Sequence, residues 1–170
     1  MAKYIFPDKT DLVNYLYEVL DNPSPIKIQK TLYLLFAYYG ATYGKINLSN
    51  DSELDISNYT EFLFEPNFEA WMYGPVDFEV YERNKNGEYS AQKLSFESLN
   101  NELNLSEKQN IVNFSDNIIR QTNVADDFSL VDRTHEDESW SIPYEKGNGA
   151  AHIPMDPYQI VEEYSTKYVQ

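Results

Sequence analysis

The stretch TLYLLFAYYGATYG, residues 31–44, carries no charged side chain. It is too short for the ~18–20 apolar residues of a membrane span, so it predicts a helix covered on most sides by the rest of the chain. Asn22-Pro23-Ser24-Pro25 sets its start: neither proline supplies a helical amide, Ser24 suits the cap and Pro25 the first position. The helix is expected over 25–43, with Ile28, Leu32, Leu35, Tyr39 and Tyr43 on one stripe and Gly44 as a left-handed stop. Lys27 and Lys30 fall in its first turns, where the helix dipole disfavours cations. Two placements stand open for them: solvent, or pairing with an acid.

Other elements gather around this centre. Asp8 caps a first helix through Leu12, Val13, Leu16, Val19 and Leu20. In FEAWMYGPV (68–76), Phe68, Ala70 and Met72 alternate with Glu69, Trp71 and Tyr73, which predicts a short strand paired with Tyr4-Ile5-Phe6 or with Phe62-Leu63-Phe64. Gly74-Pro75 ends that strand and starts a helix through Val80 and Tyr81. Ser106-Glu107-Lys108-Gln109 reads as a capping box before a helix through Ile111, Val112, Phe114, Ile118 and Ile119. A shorter helix passes through Phe128, Leu130 and Val131, IPYEKGNGAAHIPM reads as loop, and Asp156-Pro157 opens a last helix. The expected fold is mainly α, five or six helices with a small β element, in one domain spanning 1–170.

Composition narrows the function. The chain has no cysteine, which removes disulfides, thiol nucleophiles and thiolate metal sites, and a cytoplasmic location is expected. Its net charge is −15, which opposes direct nucleic-acid binding because phosphate contact depends on Lys and Arg. Nine acids and no basic residue lie between Ile46 and Glu82, and 46–66 reads as an acidic loop insertion. Only two histidines are present, and the residue four after His135 is Ser139, so no metalloprotease helix exists. A site built from His135, Glu136, Asp137 and Glu138 is disfavoured because neighbours on one segment diverge. His135 equally suits a helix C-terminus with Trp140 packed behind it. No nucleophile elbow, phosphate loop or dinucleotide fingerprint is present. No catalytic residue, metal or cofactor is assigned, and the expectation is a non-enzymatic protein.

Three segments in order, KIQKTLYLLFAYYGATYGK, FEAWMYGPVDFEVYERNK and LVDRTHEDESW, followed by a C-terminal helix, resemble the Panacea domain of bacterial and phage antitoxin-like proteins. The resemblance runs over most of residues 24–168. It implies a mainly helical domain, often prophage-encoded, that neutralises a toxin by direct protein contact; related members deliver a toxin to a protease. By position, Glu69, Trp71, Tyr73, Gly74, Pro75, Val80 and Tyr81 match the central motif, and Thr134, His135 and Trp140 the second. These residues are expected as framework holding a binding surface. The partner implied is a toxin or another basic protein, with no membrane involvement. The competing expectation, drawn from the charge, is a phage anti-defence protein that mimics nucleic acid and blocks a basic groove.

Overall fold

A computed structural model describes residues 2–49 and 57–169. Helix α1 (Lys9–Val19) is capped by Asp8, and α2 (Pro25–Tyr39) by Ser24 with Pro25 in its first turn. A π-helical turn, Gly40–Gly44, continues α2 into the short α3 (Ile46–Ser49). Strands β1 (Phe68–Trp71) and β2 (Gly74–Asp77) form an antiparallel hairpin. Helices α4 (Phe78–Lys85), α5 (Leu105–Val124), α6 (Asp127–His135), α7 (Glu138–Gly147) and α8 (Pro157–Lys167) complete the chain. The mainly α fold with a small sheet is therefore as expected, with seven helices of eight or more residues among the described residues. No helix among them is long and apolar enough to cross a membrane.

Helix α2 is the axis of the molecule. Every residue from Lys27 to Ala37 is buried, and α1, α5, α6, α8 and β2 all pack on it. That surround explains the absence of charge from Thr31 to Ala37, where a charge has no water to face. Gly44 is required by space, not by a left-handed turn. A Cβ at this position would lie 2.1 Å from the Glu61 carbonyl oxygen, where the chain after α3 returns across the end of α2.

Several expectations need correction. Of the expected 46–66 loop, Ile46–Ser49 is helix α3, 57–66 carries no helix or strand but buries Phe62, Leu63 and Phe64 in the core, and residues 50–56 lie outside the described residues. Tyr4-Ile5-Phe6 runs beside Phe62-Leu63-Phe64, with a parallel bridge from Tyr4 to Phe62 and the Phe6 amide donating to Leu63 at 2.9 Å. Neither segment pairs with β1. Its partners are β2 and, on the other side, Ile153 and Met155, which exchange backbone hydrogen bonds with Ala70 and Phe68. Gly74-Pro75 opens β2, and α4 starts only at Phe78, where Asp77 caps it through the Val80 amide. The cap of α5 is Asn104, which closes a reciprocal box with Glu107, two residues before the expected Ser106. Residues 142–147, expected as the start of a loop, belong to helix α7 despite Pro143.

Candidate functional site

The Met72-Tyr73 turn at the hairpin tip is where both sequence motifs meet. Gly74 has φ +105°, which non-glycine residues rarely adopt. A Cβ there would sit 2.6 Å from Thr134 Oγ1 and 2.9 Å from Lys30 Cε. The hairpin therefore lies directly on α2 and α6, with its backbone as the contact surface.

Polar side chains hold that backbone from several directions. The Trp140 indole donates to the Trp71 carbonyl at 2.8 Å. His135 Nε2 lies 3.1 Å from the Met72 carbonyl, and since a carbonyl only accepts, this nitrogen carries the proton. Lys30 Nζ donates to the Pro75 carbonyl at 3.0 Å. Gln29 bonds both the amide and the carbonyl of Asp77, at 2.7 and 3.2 Å. Strand β2 thus has its outer edge closed by α2 side chains. His135 stacks on Trp140 with ring centres 4.1 Å apart, and Trp140 stacks on Tyr144 at 4.8 Å. His135 ends α6 and Trp140 packs behind it.

The corner between α6 and α7 has its own buried frame. Asp137 is fully buried and accepts from the hydroxyls of Tyr33 and Tyr164, each at 2.6 Å, and from Arg133 at 3.1 Å. Burial raises its pKa above the ordinary carboxylate value, although the tyrosine hydroxyls and Arg133 favour its charge. Both tyrosines are pushed well above their usual pKa by burial and by the neighbouring carboxylate. With Asp137 turned inward, Glu163 of α8 caps α7 instead, accepting from the Glu138 and Ser139 amides at 2.7 and 2.9 Å. Arg133 lies over the Tyr168 ring at 4.1 Å.

The remaining motif residues form the hairpin's flank. Glu69 Oε1 accepts from the Trp71 indole at 2.9 Å and sits 3.0 Å from His152 Nδ1. Tyr81 packs edge-on against Trp71. Glu69, Trp71, Gly74, Pro75, Tyr81, Thr134, His135 and Trp140 are thereby brought into one assembly, and Tyr73 projects from it. Met72 was expected in the core with Phe68 and Ala70. It is instead 64% exposed, because the chain reverses at Met72-Tyr73 and the alternation ends at Trp71.

Phe128 and Lys30 are residues the sequence did not single out for this site. Phe128 is 58% exposed and meets Tyr73, itself 52% exposed, at 5.9 Å edge to face. Lys27 and Lys30 take neither expected placement: both are buried, and both bond carbonyls. Lys27 Nζ reaches the carbonyls of Thr122 (2.9 Å), Asn123 (3.3 Å) and Ala125 at the end of α5. Burial lowers the Lys30 pKa to about 7. Among the described residues no group of three or more His, Asp or Glu is arranged to hold a metal ion. Glu136 and Glu138 are exposed while Asp137 is buried, so the acids beside His135 diverge.

The arrangement can present Met72, Tyr73 and Phe128 on a backbone that is fixed beneath them. No family model, curated protein or solved structure matches the chain.

Proposed function

We propose that this protein is an antitoxin-type inhibitor that neutralises a partner toxin by direct protein contact, with the hairpin tip as the contact. One observation carries the reading. The motif side chains are used to hold a turn whose own side chains, Met72 and Tyr73, face solvent beside Phe128. Large apolar side chains exposed on a fixed backbone are the usual anchors of protein interfaces, since little ordering entropy is lost on binding. The resemblance to Panacea domains points to the same class of activity.

The nucleic-acid mimic fits less well. It needs outward carboxylates along 46–82, yet Asp77 is buried 2.8 Å from Lys9, Glu69 serves Trp71 and His152, and Glu79 lies 3.4 Å from Lys9.

The test is co-expression with the product of the adjacent gene, read as growth rescue and co-purification. Capture and rescue are expected, and both are expected to be lost in a Tyr73→Ser/Phe128→Ser double variant that keeps its circular dichroism. Failure to capture or rescue with the native protein would overturn the reading. Capture of a nucleic-acid-binding protein that is released by moderate salt would replace it with the mimic.

A further inference from the structure

The surface around the tip also carries information about the chemistry of what it binds. Asp132 follows Phe128 on α6 by four residues, and Glu136, the helical-conformation residue that caps its C-terminus, follows Asp132 by four, so the three lie along one side. All three are exposed. His135, on the hairpin side of the same helix, reaches Met72. The apolar tip is therefore bordered by the carboxylates of Asp132 and Glu136.

The cations of α2 and α6 do not offset them. Lys27 and Lys30 are the lysines of α2, and Arg133 is the arginine of α6. Lys27 is turned into the α5 carbonyls and Lys30 into the Pro75 carbonyl. Arg133 is engaged with Asp137 and lies over the Tyr168 ring. What these two helices present outward beside the tip is aromatic and negative.

We propose, building on the protein-binding reading, that the occupant of this face is a cationic amphipathic segment of another protein, one that sets a large apolar side chain on Tyr73 and Phe128 and Lys or Arg against Asp132 and Glu136. Charge complementarity excludes the other candidates. A second copy would bring Asp132 and Glu136 against their own kind on chains that each carry −15. An anionic lipid surface meets the same repulsion.

The probes are three fluorescent helical peptides of one length: Leu/Lys amphipathic, Leu/Glu amphipathic, and Ser/Lys without the apolar face. Binding to the full chain is read by anisotropy. The Leu/Lys peptide is expected to bind and the other two to bind at least about tenfold more weakly. Asp132→Lys/Glu136→Lys is expected to weaken the Leu/Lys peptide about tenfold. The control Glu18→Lys/Glu97→Lys changes net charge by the same amount at exposed positions elsewhere and is expected to leave binding nearly unchanged. Tyr73→Ser/Phe128→Ser is expected to abolish it.

Equal loss in both charge-reversed variants would reduce the effect to bulk charge and overturn the proposal. So would equal binding of the Leu/Glu peptide, or sedimentation showing a dimer that the Tyr73→Ser/Phe128→Ser variant dissociates. Because the peptides need no toxin, the outcome is independent of the growth assay. Peptide binding at the tip without rescue removes the antitoxin reading alone, and rescue without a cationic preference removes this proposal alone.

Discussion

Gly74 is the residue on which the tip depends most directly. Alanine there must adopt φ +105° and place a methyl group 2.6 Å from Thr134 Oγ1. Gly74→Ala is expected to destabilise the protein by about 3 kcal/mol, combining backbone strain with overpacking, as read by urea denaturation. Asp137 carries a comparable load through hydrogen bonds. Asp137→Ala leaves two buried tyrosine hydroxyls and Arg133 without their acceptor, and a loss of about 4 kcal/mol is expected, with Asp137→Asn in between. Lys30 gives a pH signature. Its pKa is about 7 in the folded protein against an ordinary 10.5, so between these values the unfolded chain holds the extra proton and stability rises with pH. Thermal melts from pH 7 to 9.5 should show this rise, and Lys30→Met should remove it. The window closes near pH 10, where the raised pKa values of Tyr33 and Tyr164 reverse the slope by favouring the protonated folded state.

At the scale of elements, α7 shows how a helix can be hidden in a sequence. Pro143 removes an internal hydrogen bond and normally costs ~3 kcal/mol in a helix interior, and Gly147-Asn148-Gly149 reads as loop. The compensation comes from outside the segment: Trp140 is stacked between His135 and Tyr144, and Glu163 supplies the N-terminal acceptor. Glu163→Ala is expected to cost about 1–2 kcal/mol, measured by denaturant titration. Its hydrogen bonds hold the Glu163 pKa below the usual value, so this contribution is present above the unfolded glutamate pKa and is lost as pH falls through the folded one. Helices with local signals were legible: Ser24-Pro25 marked α2, Asp8 α1 and Asp156-Pro157 α8. The burial of Lys27 and Lys30 was not. Their partners are backbone carbonyls, and a carbonyl has the same chemistry at every position, so no residue type announces it.

For the whole molecule, the two motifs could be read from the sequence as residue types, but not the way they meet. Nothing in the spacing of Trp71, Met72 and Tyr73 says that Trp140 and His135 bond the first two carbonyls or that Phe128 meets the third side chain. Such pairings follow from the packing of α6 and α7 against the hairpin. The charge acts at this scale too. At −15 the folded state works against its own repulsion, so melting temperature is expected to rise between 10 and 200 mM sodium chloride.

The clasp around the hairpin also imposes an order in time. Strands β1 and β2 emerge from a ribosome ahead of Thr134, His135 and Trp140. At ~5–20 residues per second, the nascent hairpin waits roughly 3–12 s for that clasp to be synthesised. Throughout that interval Trp71 and Tyr73 belong to an incomplete fold, and a chain arrested before α7 lacks the Trp140 indole that holds the Trp71 carbonyl. Translation must proceed through the second motif before the first is held at its tip by His135 and Trp140.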